Sequence, residues 1–158
     1  MIYNKILDKY KQGKKMISVL IDPDKYTENK LLACIAEINK TQPDFIFVGG
    51  SLTFESTEKT IEIIKEHSDI PVILFPGNMN QFSTEVDALL FLSLISGRNA
   101  EYLIGQQVAA APMIHQSKVE TISVGYILIE SGTTTSVEYI SNTKPIPYEK
   151  TEIAVATK

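Results

Sequence analysis

The sequence predicts an α/β fold built on a parallel sheet, and three observations carry that expectation. Short apolar runs alternate with segments whose apolar residues recur at helical spacing. The runs are continuous rather than alternating, as in strands buried on both faces. Each run ends in a cluster of glycine and polar residues. A chain that alternates strand and helix in this way connects its strands by right-handed crossovers and lays them parallel.

Met1–Lys15 places Ile2, Ile6, Leu7 and Tyr10 at near-helical spacing, with Lys5, Lys9, Lys11, Lys14 and Lys15 around them. This reads as a short amphipathic helix covering the bottom of the sheet. A basic amphipathic helix can also rest on an anionic membrane, so peripheral membrane contact is the alternative. Ile17–Ile21 is the first strand, stopped by Asp22-Pro23-Asp24. Thr27 can cap a helix in which Leu31, Leu32, Ile35 and Ile38 recur. Phe45–Val48 is the second strand, closed by Gly49-Gly50-Ser51, and a helix from about Ser56 to His67 places Ile61 and Ile64 on one face. Pro71–Phe75 is the third strand, ending in Pro76-Gly77-Asn78. Ala88–Ile95 is the fourth, ending in Ser96-Gly97-Arg98-Asn99. About a dozen residues separate the third and fourth strands, which leaves little room for a helix and predicts an open or loop-covered groove.

Asn99 can cap a helix containing Leu103, Ile104, Val108 and Ala109, which Pro112 is expected to break or kink. Thr121–Ile129 is the fifth strand, ending in Glu130-Ser131-Gly132. A Thr/Ser-rich loop and Pro145-Ile146-Pro147 then lead to a last helix starting near Glu149. Residues 1–158 read as a single domain, with an N-terminal helix in 1–15 and βα units over 16–158.

Composition narrows the class. The 158 residues, 44% hydrophobic and 22% charged, suit a globular chain able to bury a core without staples. The single cysteine, Cys34, excludes an internal disulfide. With His67 and His115 far from it in sequence, the chain also argues against a structural zinc site. A net charge of −4 and one arginine, Arg98, oppose a nucleic-acid surface. No apolar run approaches the roughly 18 residues of a membrane span. Met1–Lys15 lacks the apolar stretch of a signal peptide, so a cytoplasmic location is expected.

The polar stops all fall at the C-terminal ends of strands, the face that carries active sites in α/β barrels and open sheets. Asp22 and Ser51 form the sharpest pair: a carboxylate and a hydroxyl on neighbouring strand ends offer a hard cation two oxygens, with water and phosphates completing its shell. The alternative is that Asp22 caps the Pro23 turn and Ser51 caps the next helix. Gly49-Gly50 could present N–H groups to an anion at a helix N-terminus, although P-loop and dinucleotide spacings are absent. Glu130 is a candidate base or an exposed strand-end carboxylate. Cys34 reads as core, His67 as a helix-end residue and His115 as part of a polar helix end, the histidines without obvious partners.

Leu20-Ile21-Asp22-Pro23-Asp24-Lys25, Phe47-Val48-Gly49-Gly50-Ser51-Leu52-Thr53, Phe75-Pro76-Gly77-Asn78 and Ser93-Leu94-Ile95-Ser96-Gly97-Arg98-Asn99 occur in order. Tyr102-Leu103-Ile104-Gly105-Gln106-Gln107, Gly125-Tyr126-Ile127-Leu128-Ile129 and Pro145-Ile146-Pro147 follow. With these blocks the chain, from about Ile17 onward, resembles the geranylgeranylglyceryl phosphate synthase family, which includes the heptaprenylglyceryl phosphate synthases. One branch of that family carries a lysine two positions before its metal aspartate; Leu20 stands there in this chain.

The resemblance implies a (β/α)8 TIM-barrel fold, of which about the first five βα units are present and the regular helix after the third strand is absent. It implies a prenyltransferase of phospholipid biosynthesis that joins geranylgeranyl or a similar polyprenyl diphosphate to sn-glycerol 1-phosphate through an ether bond. Asp22 and Ser51 are the implied Mg2+ ligands, and Gly50, Gly77, Asn78 and Arg98 are the expected substrate contacts. A homo-oligomer is expected at full length. The family holds glycerol phosphate with a Tyr-x-Glu-x-Gly-Ser segment on its sixth strand and with glycine loops after the seventh and eighth. None of these occurs here, so the chain reads as truncated at its C-terminus, its catalytic glutamate beyond Lys158, and turnover by this polypeptide alone is not expected. Two other readings stay open: another phosphate-binding TIM-barrel enzyme, which would place an acid–base lysine or histidine at a strand end, and a non-catalytic partial barrel that binds a prenyl or other lipid.

Overall fold

Strands form where β-branched, leucine and aromatic residues run without interruption: β1 (Ser18–Ile21), β2 (Phe45–Val48), β3 (Val72–Leu74), β4 (Ala88–Leu94) and β5 (Thr121–Tyr126). They are seen in a computed structural model that describes Met1–Thr157. The sheet order is β1-β2-β3-β4-β5, so sequence neighbours are also spatial neighbours. The first three pairings are parallel, with Ile21 opposite Val48, Val48 opposite Leu74, and Leu74 opposite Leu89. Leu89 N–H donates to the Glu120 carbonyl and Ile95 N–H to the Tyr126 carbonyl, a constant offset that marks β5 as parallel too.

The chain divides into two compact units, Met1–Leu90 with Lys118–Ile122, and Phe91–Ser117 with Ser123 onward. The first unit carries α1 (Ile2–Lys11), α2 (Glu28–Thr41) and α3 (Thr57–His67). Ile21, Ile46, Val48, Ile61, Ile64, Val72, Ile73, Leu74 and Ala88 are 0% exposed and form its centre. Thr27 occupies the α2 cap position without a side-chain hydrogen bond. Ser56 caps α3, its hydroxyl accepting Lys59 N–H at 3.2 Å. Between β3 and β4 the chain makes one 3-10 turn, Met79–Gln81, and no regular helix, as the short connection requires.

α1 is shorter than its lysine-rich segment and is fastened to the bottom of the sheet. The Glu120 carboxylate, directly before β5, accepts Ile2 N–H at 2.6 Å and Tyr3 N–H at 2.9 Å, supplying the helix with an acidic cap. Lys9 pairs with Asp44, directly before β2, and the second oxygen of Asp44 accepts Ile17 N–H at 2.7 Å. Ile2 is buried beneath these contacts, while Lys5, Lys11, Lys14 and Lys15 face solvent.

In the second unit a π-turn, Glu101–Gly105, leads into α4 (Gln106–Ser117); α5 (Ser136–Ser141) and α6 (Thr151–Thr157) follow. Pro112 lies inside α4 and does not end it. The N–H it lacks would have bonded Val108, which is 67% exposed, so the disrupted turn lies on the water side. The regular fifth strand stops at Tyr126 rather than Ile129. Ile129 makes instead a single parallel bridge to Ile146, where Glu130 N–H donates to the Ile146 carbonyl and Ile146 N–H to that of Leu128, both at 2.9 Å. α5 occupies what reads as a Thr/Ser-rich loop; Thr135 Oγ1 accepts Glu138 N–H at 3.3 Å and starts it.

Candidate functional site

Ile21 ends β1 in the core, and Pro23 pre-sets the backbone of the 3-10 turn Pro23–Lys25 that follows. Asp22 caps that turn: its Oδ1 accepts Asp24 N–H at 3.2 Å, and its Oδ2 lies 3.4 Å from the exposed Lys25 ammonium. The turn-capping role is therefore real, yet the side chain stays 23% exposed and open to a further partner. Asp24, which the sequence reading passed over, bridges to the next loop by accepting Phe54 N–H and Glu55 N–H, each at 2.9 Å. Tyr26 stands nearby. A hydrogen bond from the Cys34 thiol, then burial, then the charges of Cys34 and Asp22 push its phenol above the usual tyrosine range, so it stays neutral beside Asp22.

The loop after β2 is pressed against both neighbours. Gly49 has φ +148, and a Cβ there would lie 2.0 Å from the Phe75 carbonyl oxygen. A Cβ on Gly50 would lie 3.1 Å from Asp22 Oδ1, so the carboxylate rests against the residue before Ser51. The half-buried Ser51 hydroxyl makes no hydrogen bond among the described residues. Ser51 does not cap α3; Ser56 does, because the chain needs five more residues to reach the helix. The anion-cradle reading of Gly49-Gly50 also fails, since Gly49 N–H donates to the Ile21 carbonyl and Gly50 N–H points at Gln81.

The loop after β3 closes the arrangement. A Cβ on Gly77 would lie 2.2 Å from the Gly50 carbonyl oxygen and 2.6 Å from that of Ser51. Asn78 caps the Met79–Gln81 turn, accepting Asn80 N–H at 2.9 Å. Gln81, only 2% exposed, reaches back across both loops. Its Oε1 accepts Gly77 N–H at 3.1 Å and Gly50 N–H at 3.4 Å, and its Nε2 donates to the Gly50 carbonyl at 2.7 Å. Beside these loops lies a cleft of about 310 Å³ lined by Leu52, Thr53, Phe54, Asn78, Gln81 and Phe82, among others.

Asp22, Gly50, Ser51, Gly77 and Asn78 thus gather on adjacent loops of the first unit. Arg98 belongs to the second unit, where its exposed side chain makes no ion pair among the described residues. Asn99 beside it accepts Glu101 N–H at 3.1 Å, although Ala100 is the residue at the cap position of the π-turn. Glu130 is exposed. His67 Nδ1 lies 2.9 Å from the Ile63 carbonyl at the end of α3, and Cys34 is half-buried rather than core.

The donor set fits one mode of cation binding. Among the described residues no group of three or more His, Cys, Asp or Glu could hold a metal. An all-protein cage is therefore absent from them. Magnesium is commonly held by one or two carboxylates, with waters and substrate phosphates filling its octahedron. One carboxylate and one hydroxyl on adjoining loops, beside a cleft, match that arrangement. No helix among the described residues is long and apolar enough to cross a membrane.

Known proteins resemble this chain over nearly its whole length. A curated geranylgeranylglyceryl phosphate synthase of Chitinophaga pinensis is 47% identical over 157 residues, covering 99% of this chain and 62% of the relative. The Flavobacterium johnsoniae protein of the same name is 46% identical, covering 99% of this chain and 65% of the relative. This chain therefore spans less than two thirds of the length of either. The solved synthase from Thermoplasma acidophilum, in complex with its substrate sn-glycerol-1-phosphate, superposes with a TM-score of 0.87 at 31% identity, over 97% of this chain and 62% of that one. That from Thermoplasma volcanium also gives 0.87, at 29% identity, over 98% and 61%. With the parallel order of the strands, this likeness bears out the expected fold class, α/β with successive βα units of a TIM-barrel family. The PcrB family model matches residues 10–158, and the chain belongs to the PcrB family.

Proposed function

We propose that this chain supplies the metal- and diphosphate-binding loops of a prenyltransferase that joins a polyprenyl diphosphate to sn-glycerol 1-phosphate through an ether bond. The observation that carries the reading is the Asp22 carboxylate resting against Gly50, next to the unpartnered Ser51 hydroxyl, in a chain 47% identical to a named synthase. Asp22 and Ser51 hold magnesium, which when bound offsets the negative charge of the diphosphate. Gly50 and Gly77 act by having no side chain, which lets the loops close up; their N–H groups are already engaged by Gln81. Asn78 uses its Oδ1 to cap the turn and turns its amide nitrogen to a phosphate oxygen. Leu52, Phe54 and Phe82 flank the cleft and receive the first prenyl unit beside the diphosphate. The 3-hydroxyl oxygen of glycerol phosphate bonds to the allylic carbon as the carbon–diphosphate bond breaks. Its proton goes to a carboxylate outside the loops described above. Arg98 as a substrate contact, a cytoplasmic location, a peripheral membrane contact and homo-oligomeric assembly belong to the same proposal.

Calorimetric titration with geranylgeranyl diphosphate tests it. Binding is expected with magnesium and is expected to vanish in a chelator, while sn-glycerol 1-phosphate alone gives no heat and the mixture yields no ether. Equal binding with and without magnesium would overturn the metal assignment. Rapid ether formation would place the glycerol phosphate site and the base within these 158 residues.

A further inference from the structure

We propose that Gln81 is a positioning residue that sets the spacing between the Asp22 carboxylate and the Ser51 hydroxyl. The inference rests on the metal–diphosphate reading and assigns to it a residue with no contact to either ligand. The β2–β3 ladder makes a regular bond at Phe75 N–H to the Val48 carbonyl, 2.8 Å. Beyond it the strands end, and Gly50 N–H, Gly50 C=O and Gly77 N–H would be left without a partner from the ladder. The Gln81 carboxamide meets all three, at 3.4, 2.7 and 3.1 Å, and so continues the ladder for one more step with a side chain. The 3.4 Å contact is the weakest of them.

Three features show that this is a built clamp rather than a chance contact. Glutamine is a mostly exposed residue type, and burying its amide is unfavourable unless both ends are hydrogen-bonded. Here the residue is 2% exposed and bonded at both ends. An apolar side chain of the same volume would orphan three backbone groups. Next, Gly49 and Gly77 bring the two loops as close as main chain allows: a Cβ on either would fall 2.0 or 2.2 Å from a carbonyl oxygen. The carboxamide fills the polar slot that remains. Last, Gly50 is the residue against which Asp22 rests, at 3.1 Å from its absent Cβ, and Ser51 follows it directly. Holding Gly50 on both its N–H and its C=O therefore fixes one ligand and backs the other. Misplacement of a binding group by about 1 Å can cost on the order of 10²-fold in function, which is the leverage Gln81 has through the loops it holds.

The test combines amide hydrogen exchange with calorimetric binding of magnesium and inorganic pyrophosphate to the 158-residue chain. In Gln81→Met, exchange at Gly50 and Gly77 is expected to speed up while Ile46 and Val48 keep their protection, and pyrophosphate affinity to fall about tenfold or more. Gln81→Glu keeps the acceptor for both N–H groups and loses the donor to the Gly50 carbonyl. It should protect Gly77 and still bind more weakly than wild type. Asp22→Asn is the control for the underlying reading and should abolish magnesium-dependent binding. Wild-type affinity in Gln81→Met alongside lost affinity in Asp22→Asn overturns the proposal. Loss of protection throughout β2 in both Gln81 variants overturns it too, since Gln81 would then be an ordinary core residue. Unchanged binding in Asp22→Asn overturns the metal reading instead.

Discussion

The two compact units differ in how completely they satisfy their own groups. In the first, β3 is buried at every residue and β2 at all but Phe47, and the candidate loops have their backbone groups taken up by Ile21, Val48 and Gln81. In the second, β5 contributes residues that alternate between exposed and half-buried, and α4 buries Ala110 alone. Gln106 Oε1, Gln107 Oε1 and Ser141 Oγ, all in the second unit, are buried without a partner; no such atom occurs among the described residues of the first. Saturated packing and hydrogen bonding leave a loop one position to occupy. The proposed metal ligands stand on the unit that has this property.

The largest effect that would sharpen this contrast comes from the strand centres. Ile73→Ala, at a side chain 0% exposed in β3, should destabilise by about 2–5 kcal/mol in urea unfolding. Val124→Ala, half-buried in β5, should lose no more than about 1 kcal/mol. Equal losses would erase the distinction. Next come the loop glycines. Gly77→Ala drives a Cβ into main-chain oxygen at 2.2 Å and should lower stability by about 1–3 kcal/mol. Gly97→Ala meets a side chain rather than main chain, Thr143 Oγ1 at 2.8 Å and Cγ2 at 2.9 Å, and should shift the melting midpoint less.

Smaller effects concern α1. Glu120→Ala removes the acceptor for Ile2 and Tyr3 N–H and should cost about 1 kcal/mol, seen as faster amide exchange in the first turn of α1. The smallest is conditional on pH. The hydrogen bond from Lys9, followed by that from Ile17 N–H, holds the Asp44 carboxyl below the usual carboxylate range. A depressed folded value means the contact stabilises fully above the unfolded pKa of about 3.9 and is lost as pH falls through the lower folded value. Amide exchange in α1 should therefore rise on acidification below about pH 4 in wild type, and Asp44→Asn should show no such step.

Much of the fold was legible in the sequence because strands buried on both faces read as unbroken apolar runs: Phe45–Val48 is found to the residue. What escaped is short or long-range. α5 spans six residues, too few for a helical period, although Thr135 and Glu138 carry a capping pattern that could have revealed it. The pairing at Ile146 is masked by its flanking prolines, which cannot donate to a ladder. In the candidate site, the place of Asp22 was legible because it closes a buried strand, and of its two readings the turn cap is the one seen, the metal role belonging to the proposal. The alternative of Ser51 as a helix cap fails on the helix start, which the sequence itself placed at about Ser56, the residue that does cap α3. Gln81 was invisible: a glutamine in a loop is ordinary, and its role exists only through contacts to Gly50, 31 positions away.

The most direct test of the central claim is paramagnetic broadening of the amide spectrum by manganese(II), a magnesium surrogate, at substoichiometric concentration. The account predicts that the signals of Asp22, Gly50 and Ser51 broaden first, that those of Ile2 and Glu120 at the other end of the strands persist, and that Asp22→Asn removes the effect. Broadening that spares Asp22, Gly50 and Ser51, or that survives Asp22→Asn, would contradict it.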